Sequence, residues 1–149
     1  LCITLGRMKP PAGKLECFLL KDEAKKQVSV YHRPVSGGKS AVTLYRTLET
    51  RGELSLVEAE LLTGRPHQIR ASFADAGHPL LGDGKYGNGA MNKKYHETRQ
   101  ALYSYKLVFD FPTDAGMLEY LRGRTFQVDC VPFREAYFPA SGEGKPKRK

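Results

Sequence analysis

Residues 63–70 read Thr-Gly-Arg-Pro-His-Gln-Ile-Arg, and residues 77–83 read Gly-His-Pro-Leu-Leu-Gly-Asp. The proline of the first segment suits the first turn of a helix, where a missing N–H costs nothing, and the threonine that opens the segment can cap the helix. The glycine that opens the second segment, with the proline two residues later, supplies a stop signal. The pattern therefore predicts a helix over residues 66–76 that follows a strand and precedes a tight loop.

Arg70 lies beside the apolar face of this predicted helix. Ile69, Phe73 and Ala76 recur at helical spacing, so they form a face that should pack inward. Arg70 falls on the flank of that face and therefore at the edge of the core. A half-desolvated charge without a partner is costly, so we expect a carboxylate or a phosphate opposite its guanidinium. For Arg65, two interpretations stay equally open: an ordinary surface position and a functional residue.

The composition is that of a globular domain with excess positive charge. The 149 residues are 40% hydrophobic, which is enough to bury the core of one domain or of a large piece of one. The net charge is +8, from 24 Lys and Arg against 16 Asp and Glu. This excess favours a polyanionic partner such as RNA or DNA, although many basic domains bind no nucleic acid.

The cysteines and the chain start also narrow the class of protein. Three cysteines with no CxxC pair argue against a disulfide framework or a zinc site and favour a cytoplasmic location. None of them lies near a histidine in the sequence, so a Cys–His nucleophile is unsupported. No apolar run has the length of a membrane span, and no signal-peptide pattern occurs. Because the chain begins at Leu1 without a Met and runs straight into a strand-like segment, we expect it to be part of a longer protein.

Alternating and β-branched segments predict a sheet-rich domain. Residues 39–50 alternate, with Val42, Leu44 and Leu48 on one face and Thr43, Tyr45 and Thr47 on the other. Residues 53–62 read as the returning strand of a hairpin. In the whole chain, strands are predicted over residues 1–5, 14–20, 27–33, 39–50, 53–62, 102–111 and 125–131.

The C-terminal part carries weaker signals. Residues 87–100 read as polar and irregular, and a short helix is predicted over residues 114–121. Three apolar side chains of that helix should face inward: Met117, Leu118 and Leu121. Domain organisation is predicted as one catalytic-domain portion over residues 1–140, followed by a disordered basic tail over residues 141–149 that could serve as a non-specific RNA arm.

Several short patterns have simpler explanations than a cofactor or metal site. Residues 82–87 match GxGxxG, but no helix pattern opens there and no βαβ unit surrounds them. Residues 38–40 resemble the end of a P-loop, but a strand follows them. His67 and His78 are too far apart for adjacent positions on one helix and lack a third ligand, so we predict no metal site. We expect His78 to hydrogen-bond loop backbone and Asp83 to form an Asx-turn.

The central residues resemble the third conserved motif of the RluA family of RNA pseudouridine synthases. The resemblance covers about residues 1–111, and Pro66 stands where a Thr is commoner in the family. Residues 38–46 resemble the strand that precedes this motif in the family, and residues 100–107 resemble the strand that follows. Three segments form the motif itself: residues 63–70, residues 77–83 and Tyr86-Gly87.

The resemblance implies an α+β fold with a mixed, mostly antiparallel sheet and a few helices. It also implies isomerisation of uridine to pseudouridine in structured RNA, either rRNA or tRNA, by a protein that needs no cofactor or metal and that we expect to be a cytoplasmic monomer. In the family, the arginine at the position of Arg70 pairs with a nucleophilic Asp, and the target uridine leaves its stack to be reached. Residues that would contact substrate or RNA are Arg65, His67, Gln68 and Ile69, with Ile69 helping to wall the uracil pocket.

The sequence also departs from the family. The nucleophilic Asp belongs to a His-Arg-Leu-Asp segment, and no such segment occurs in the chain. The partner of Arg70 is therefore expected to be an Asp outside the chain, and this chain alone is expected to be inactive. Two other hypotheses stay open: a non-catalytic RNA-binding module derived from the same fold, and a structural fragment without affinity for RNA.

Overall fold

The computed structural model describes residues 1–140, so the basic tail predicted over residues 141–149 lies outside the described residues. The chain divides into two compact units, one from Leu1 to Leu102 and the other from Tyr103 onward. Within residues 1–140, no helix is long and apolar enough to cross a membrane.

The first unit is built on a five-stranded sheet. Its strands lie in the order β1-β5-β4-β2-β3, and every pairing between them is antiparallel. The predicted α+β class with a mostly antiparallel sheet is therefore confirmed. The strands are β1 (Cys2–Leu5), β2 (Ala12–Asp22), β3 (Gln27–Tyr31), β4 (Lys39–Arg51) and β5 (Leu54–Leu61).

The hairpin of β4 and β5 is confirmed, and it shows which face of β4 is buried. Thr43 and Tyr45 point into the core, whereas Val42 and Leu44 are only half-buried. A register shift between Thr47 and Glu49 interrupts the alternation, so the intervening leucine is exposed. The inward face of this strand is therefore the more polar of the two faces that the sequence distinguishes.

Helix α1 (Gln68–Asp75) packs on β2, β3 and β4 and joins two parts of the core. Phe73 lies in a cluster with Tyr45 and Leu80, and Ala71 lies in a second cluster with Cys17. Because neighbouring positions of one helix enter both clusters, the helix has little freedom to rotate or slide on the sheet.

The helix is shorter than predicted and starts differently. The prediction placed its start at Pro66 with a Thr63 cap, but His67 is the capping position and makes no side-chain capping bond. His67 adopts a left-handed backbone conformation with φ 52°, which stops helical geometry from extending back to Pro66. The Thr63 hydroxyl instead donates to the side chain of Gln68 at 2.8 Å.

The helix stop is confirmed, but its inward face is not the predicted one. Gly77 has φ 82°, and the next backbone N–H, that of His78, donates to the carbonyl of Phe73 at 2.9 Å, which closes the last turn. Ala76 is exposed, contrary to the prediction. Counting only apolar residues missed the polar members of the buried face, which consists of Gln68, Ala71, Ser72 and Phe73.

Beyond the helix, the first unit continues with loops and helix α2 (Gly89–Lys94). This helix falls in a segment predicted to be irregular, and the Asn88 side chain caps its start by accepting from the N–H of Met91 at 3.1 Å. The loop at residues 79–81 returns to β1, where Leu81 donates its N–H to the carbonyl of Ile3 at 2.9 Å.

The second unit has less regular structure than the sequence predicts. It contains a two-stranded ribbon of β6 (Lys106–Val108) and β7 (Thr125–Gln127), a 3-10 helix (Gly116–Leu121) and helix α3 (Pro132–Tyr137). Strand β6 is far shorter than the predicted strand over residues 102–111, because only residues 106–108 of that segment pair with β7. Met117 is 94% exposed and Leu118 is 50% exposed, so the prediction that they face inward is wrong.

Candidate active site

A bidentate ion pair between Arg70 and Asp83 forms the centre of the site. The Arg70 Nε donates to Asp83 Oδ2 at 2.7 Å, and Nη2 donates to Oδ1 at 2.8 Å. The side chain of Asp83 is fully buried, and that of Arg70 is 15% exposed. A fork of two charge-assisted bonds fixes both the position and the plane of the guanidinium. Arg70 therefore lies at the edge of the core, as predicted, with a carboxylate opposite it.

Asp83 is a partner of Arg70 that the sequence analysis did not predict. We expected the Asp that pairs with Arg70 to lie outside the chain, but the loop after α1 brings Asp83 within hydrogen-bonding distance of the guanidinium. That an additional carboxylate from outside the chain reaches Arg70 stays a prediction. The expected Asx-turn at Asp83 is confirmed, since its Oδ1 also accepts the N–H of Lys85 at 2.8 Å and that of Tyr86 at 3.0 Å.

The ion pair shifts the titration of both partners. Burial raises the pKa of the Asp83 carboxyl, but hydrogen bonds from Arg70 and from the backbone of Tyr86 and Lys85 lower it by more, so this pKa lies below its ordinary 3.8. The hydrogen bond to Asp83 raises the pKa of the Arg70 guanidinium. Both groups therefore stay charged at neutral pH.

Tyr86 supports the guanidinium from the side. The Cζ of Arg70 lies 5.3 Å from the centroid of the Tyr86 ring, within the range of a cation–π contact. The Tyr86 hydroxyl accepts the backbone N–H of Val28 at 2.8 Å and lies 2.9 Å from Nδ1 of His67. These contacts hold the ring against the edge strand β3 and so keep it beside Arg70.

His67 is the second aromatic residue at the site. Burial, followed by the positive charges of Arg70 and Lys85, lowers the pKa of its imidazole below 6.5, so the ring is neutral at pH 7. A neutral ring can accept the Tyr86 O–H at Nδ1 while it carries its proton on Nε2. The imidazole and phenol rings meet edge to face, with centroids 5.6 Å apart.

The side chain of Gln68 has a structural role, and the expected contact of this residue with RNA stays a prediction. Its side chain is buried, and its Nε2 donates to the Val42 carbonyl at 3.0 Å and to the Thr43 hydroxyl at 2.9 Å. Its Oε1 accepts the hydroxyl of Thr63 at 2.8 Å and the backbone N–H of Arg65 at 3.1 Å. Both amide hydrogens and both acceptor positions are thus used within the protein, to join α1 to strand β4.

The other predicted contact residues lie nearby. Arg65 donates from Nε to the carbonyl of Ser40 at 3.0 Å, which holds its side chain along the end of β4. Ile69 is half-buried and packs on the cluster that contains Phe73. His67 lies beside Tyr86. Contacts of Arg65, His67 and Ile69 with substrate or RNA stay predictions.

The loop of residues 82–87, which resembles a dinucleotide motif, is built around the buried carboxylate of Asp83. A Cβ on Gly87 would lie 2.0 Å from the backbone carbonyl oxygen of Asp83, so only glycine fits there. A Cβ on Gly84 would meet nothing within 4 Å. The glycine pattern therefore reflects the close return of this loop, as its lack of a βαβ context suggests.

The described residues offer neither a metal cluster nor a reactive thiol at this site. Within residues 1–140, no group of three or more His, Cys, Asp or Glu side chains could hold a metal ion. Burial raises the pKa of the Cys2 thiol to about 12 and also raises that of Cys17, so both thiols stay protonated at neutral pH. His78 hydrogen-bonds backbone as expected, since its Nδ1–H donates to the Leu5 carbonyl oxygen at 2.9 Å.

Sequence reasoning missed the roles of Asp83 and Tyr86. The turn alone was taken to explain Asp83. The signal for its second role is that Arg70, on the preceding helix, needs an anionic partner and that Asp83 is a carboxylate in the next loop. Tyr86 belongs to the motif that carries the family resemblance, but its contacts with Arg70 and Val28 depend on the fold and could not be predicted.

Fold and site together define an antiparallel α+β domain in which one helix and the following loop present a rigid arginine at the core edge. A family model described as RNA pseudouridylate synthase matches residues 4–75. The chain is 36% identical over 107 residues to the uncharacterised RNA pseudouridine synthase YhcT of Bacillus subtilis, with 70% of this chain and 33% of that protein covered. The chain belongs to the RluA family of RNA pseudouridine synthases.

One further relative and one solved structure are similar to the chain. The chain is 44% identical over 84 residues to ribosomal large subunit pseudouridine synthase D of Neisseria meningitidis, with 51% of this chain and 22% of that protein covered. The structure of human RNA pseudouridylate synthase domain containing 1 has the same fold, with a TM-score of 0.64 and 22% identity over 88% of this chain and 52% of that one. The chain thus spans only about a third or less of the curated relatives it matches.

The burial of the ion pair predicts a large loss of stability when the guanidinium is removed. Arg70→Met should lower the free energy of unfolding by about 3 kcal/mol, because it leaves the buried Asp83 carboxylate unpaired. The matched control is Arg46→Met, which breaks the exposed pair with Glu58 (N–O distance 3.0 Å) and should cost less than about 1 kcal/mol. Urea denaturation of each variant measures its free energy of unfolding. Equal losses of stability in the two variants would contradict the claim that burial makes the Arg70–Asp83 pair more costly to break.

The lowered pKa of Asp83 predicts a pH-dependent share of stability. A carboxyl whose folded pKa is depressed contributes stability that is present above its unfolded pKa and lost as pH falls through the folded pKa. The stability difference between wild type and Asp83→Asn should therefore be constant above about pH 5 and shrink below pH 3.8. Urea denaturation at a series of pH values measures it, and a difference independent of pH down to 2 would refute the shift.

The close return of the loop predicts different outcomes at two neighbouring glycines. Gly87→Ala should destabilise the protein by several kcal/mol, on the order of a severe overpacking mutation, because the new Cβ meets the Asp83 carbonyl. Gly84→Ala should change the free energy of unfolding by less than about 0.5 kcal/mol. Thermal melts of the two variants provide the test, and a harmless Gly87→Ala would show that the loop does not close in this way.

Proposed function

We propose that this chain is the C-terminal portion of the catalytic domain of an RluA-type pseudouridine synthase, which isomerises uridine to pseudouridine in structured RNA. The observation that carries the proposal is the guanidinium of Arg70, held rigidly at the core edge by Asp83 in a chain of this family. The names of several relatives point to ribosomal RNA, and rRNA is therefore the first substrate to test.

The geometry of Arg70 suits the electrostatic part of the reaction. A guanidinium has five N–H donors, and the fork to Asp83 uses two of them. The others can bind the nucleophilic carboxylate, which in this proposal comes from a segment outside the 149 residues. A guanidinium fixed in advance keeps that carboxylate ionised and aimed, without reorganisation at the moment of reaction.

The chain also suits an RNA partner of the kind that such an enzyme needs. Its net charge of +8 attracts a polyanion from solution. The target base has to leave its stack before a buried arginine can act near it, and Ile69, half-buried beside Arg70, would wall the pocket that receives the base. We propose that the protein acts as a monomer in the cytoplasm; the free cysteines at positions 2, 17 and 130 suit a reducing compartment.

The proposal predicts that the shape of the Arg70 side chain is essential for pseudouridine formation. In the full-length protein that carries this chain, Arg70→Lys should slow pseudouridine formation in rRNA by about 100-fold or more, because an ammonium cannot make the planar fork. Reverse-transcription mapping of pseudouridine at timed intervals measures the rate. Arg46→Lys, a change of the same type at an exposed ion pair, serves as the matched control and should leave the rate unchanged.

The same assay separates the enzyme from a non-catalytic RNA-binding module. Circular dichroism and urea denaturation serve as the control that Arg70→Lys is folded. If folded wild-type protein binds RNA but forms no pseudouridine, the module hypothesis replaces the enzyme. If Arg70→Lys modifies RNA at the wild-type rate, the proposed role of Arg70 is wrong.

A further inference from the structure

A basic groove lies beside the ion-pair site, along the outer edge of the sheet. It encloses about 410 Å³ and runs between the β2–β3 hairpin and the residues that precede α1. This volume is large enough for a nucleotide-sized ligand. The groove is lined by Lys21, Glu23, Lys26, Gln27, Val28, Pro66, His67 and Lys85.

The charges of this groove favour an anion. Three lysines face one glutamate, so its lining carries a net charge of +2 with a neutral histidine. Lys21 and Glu23 form an ion pair at 2.7 Å in which both side chains are more than half exposed. An exposed pair of this kind contributes little stability, so Lys21 can exchange Glu23 for another anion at low cost.

Lys85 connects the groove to the loop that carries Asp83. Its ammonium donates to the backbone carbonyl of Lys26, which is one of the three N–H bonds that an ammonium can make. This contact ties the 82–87 loop to the turn between β2 and β3. Two lysines that are 59 residues apart in the sequence are thereby brought together in the lining of the groove.

The remaining lining residues suit the uncharged part of a nucleotide. Val28 and Pro66 supply apolar surface, against which a ribose can pack while its phosphate faces the lysines. His67 lines the groove on one side and contacts Tyr86 on the other, and the Tyr86 ring in turn contacts Arg70. The rings of His67 and Tyr86 therefore connect the groove to Arg70 of the ion pair.

We propose that this groove binds a backbone phosphate of the RNA strand close to the target uridine, with Lys21, Lys26 and Lys85 as its cationic contacts. The inference rests on the proposed function for the identity of the RNA, and it goes further by assigning a second binding surface on the edge of the sheet. Phosphate contacts of this type position the strand and carry no sequence information. The groove thus orients the RNA, and recognition of the uridine stays with the site around Arg70.

The salt dependence of RNA binding tests this assignment. The double variant Lys21→Met/Lys85→Met should bind a fluorescein-labelled RNA hairpin with a uridine in its loop about tenfold more weakly at moderate salt. Because each phosphate contact contributes about 0.7 to 0.9 to the slope of log K against log salt, the slope should fall by about 1.5. The control is Lys93→Met/Lys106→Met, which removes the same charge from two exposed positions outside the groove and should change the slope by less than half as much.

The measurements use the full-length protein, with fluorescence anisotropy for affinity and pseudouridine mapping for activity. Equal slopes for the groove and control variants would overturn the groove assignment and leave the proposed function intact. Loss of pseudouridine formation in Arg70→Lys with unchanged RNA affinity supports the proposed function independently of the groove. If wild-type protein fails to bind RNA, both proposals are overturned. Inorganic phosphate is titrated as a separate probe, and saturation of the groove by it at concentrations that leave RNA affinity unchanged would also refute an RNA contact there.

Discussion

The structure depends on one electrostatic constraint, the pairing of a fully buried aspartate with an arginine that is almost as deeply placed. The charge of a carboxylate that is shielded from solvent has to be balanced by hydrogen bonds and an opposite charge. Asp83 accepts two hydrogen bonds from the Arg70 guanidinium and two from backbone N–H groups. Those bonds require the loop to close tightly on itself, which leaves no room for a side chain at Gly87. They also require α1 to hold Arg70 in a fixed position relative to the loop. The packing of α1 into two clusters of the core fixes that position.

The polar residues of α1 show how one helix can join a sheet and a site. Gln68 hydrogen-bonds two residues of β4 and the loop that leads into the helix. Arg70, two positions later, pairs with Asp83 in the 82–87 loop. A displacement of the helix would therefore break buried hydrogen bonds on both sides. This coupling explains why polar side chains occupy positions that an apolar pattern would assign to hydrophobic residues. It also keeps the guanidinium immobile before any substrate arrives.

The sequence predicted the antiparallel hairpin, the strands of the first unit and the need of Arg70 for an anionic partner, because alternation and burial cost are local properties. It did not identify Asp83 as a partner, since Asp83 meets Arg70 only through the loop that follows the helix. The family resemblance implied an RNA contact for Gln68, and its buried partners Val42 and Thr43 on β4 could not be foreseen because they become neighbours only in the fold. The second unit was predicted to be too regular: its aromatic residues alternate, but Phe109 packs on Phe111 and Phe126 outside a continuous ladder. Alternation indicates a strand only where a neighbouring strand is available to pair with it.

The coupling between Arg70 and Asp83 is the most direct test of this account. A double-mutant cycle with Arg70→Met, Asp83→Asn and the combined variant, measured by urea denaturation at pH 7, isolates the energy that each side chain gains from the other. We predict a coupling energy of about 2 to 3 kcal/mol, so that the double variant is no less stable than Arg70→Met alone. A coupling energy near zero, with the two single losses simply adding, would contradict the claim that this ion pair holds the site together.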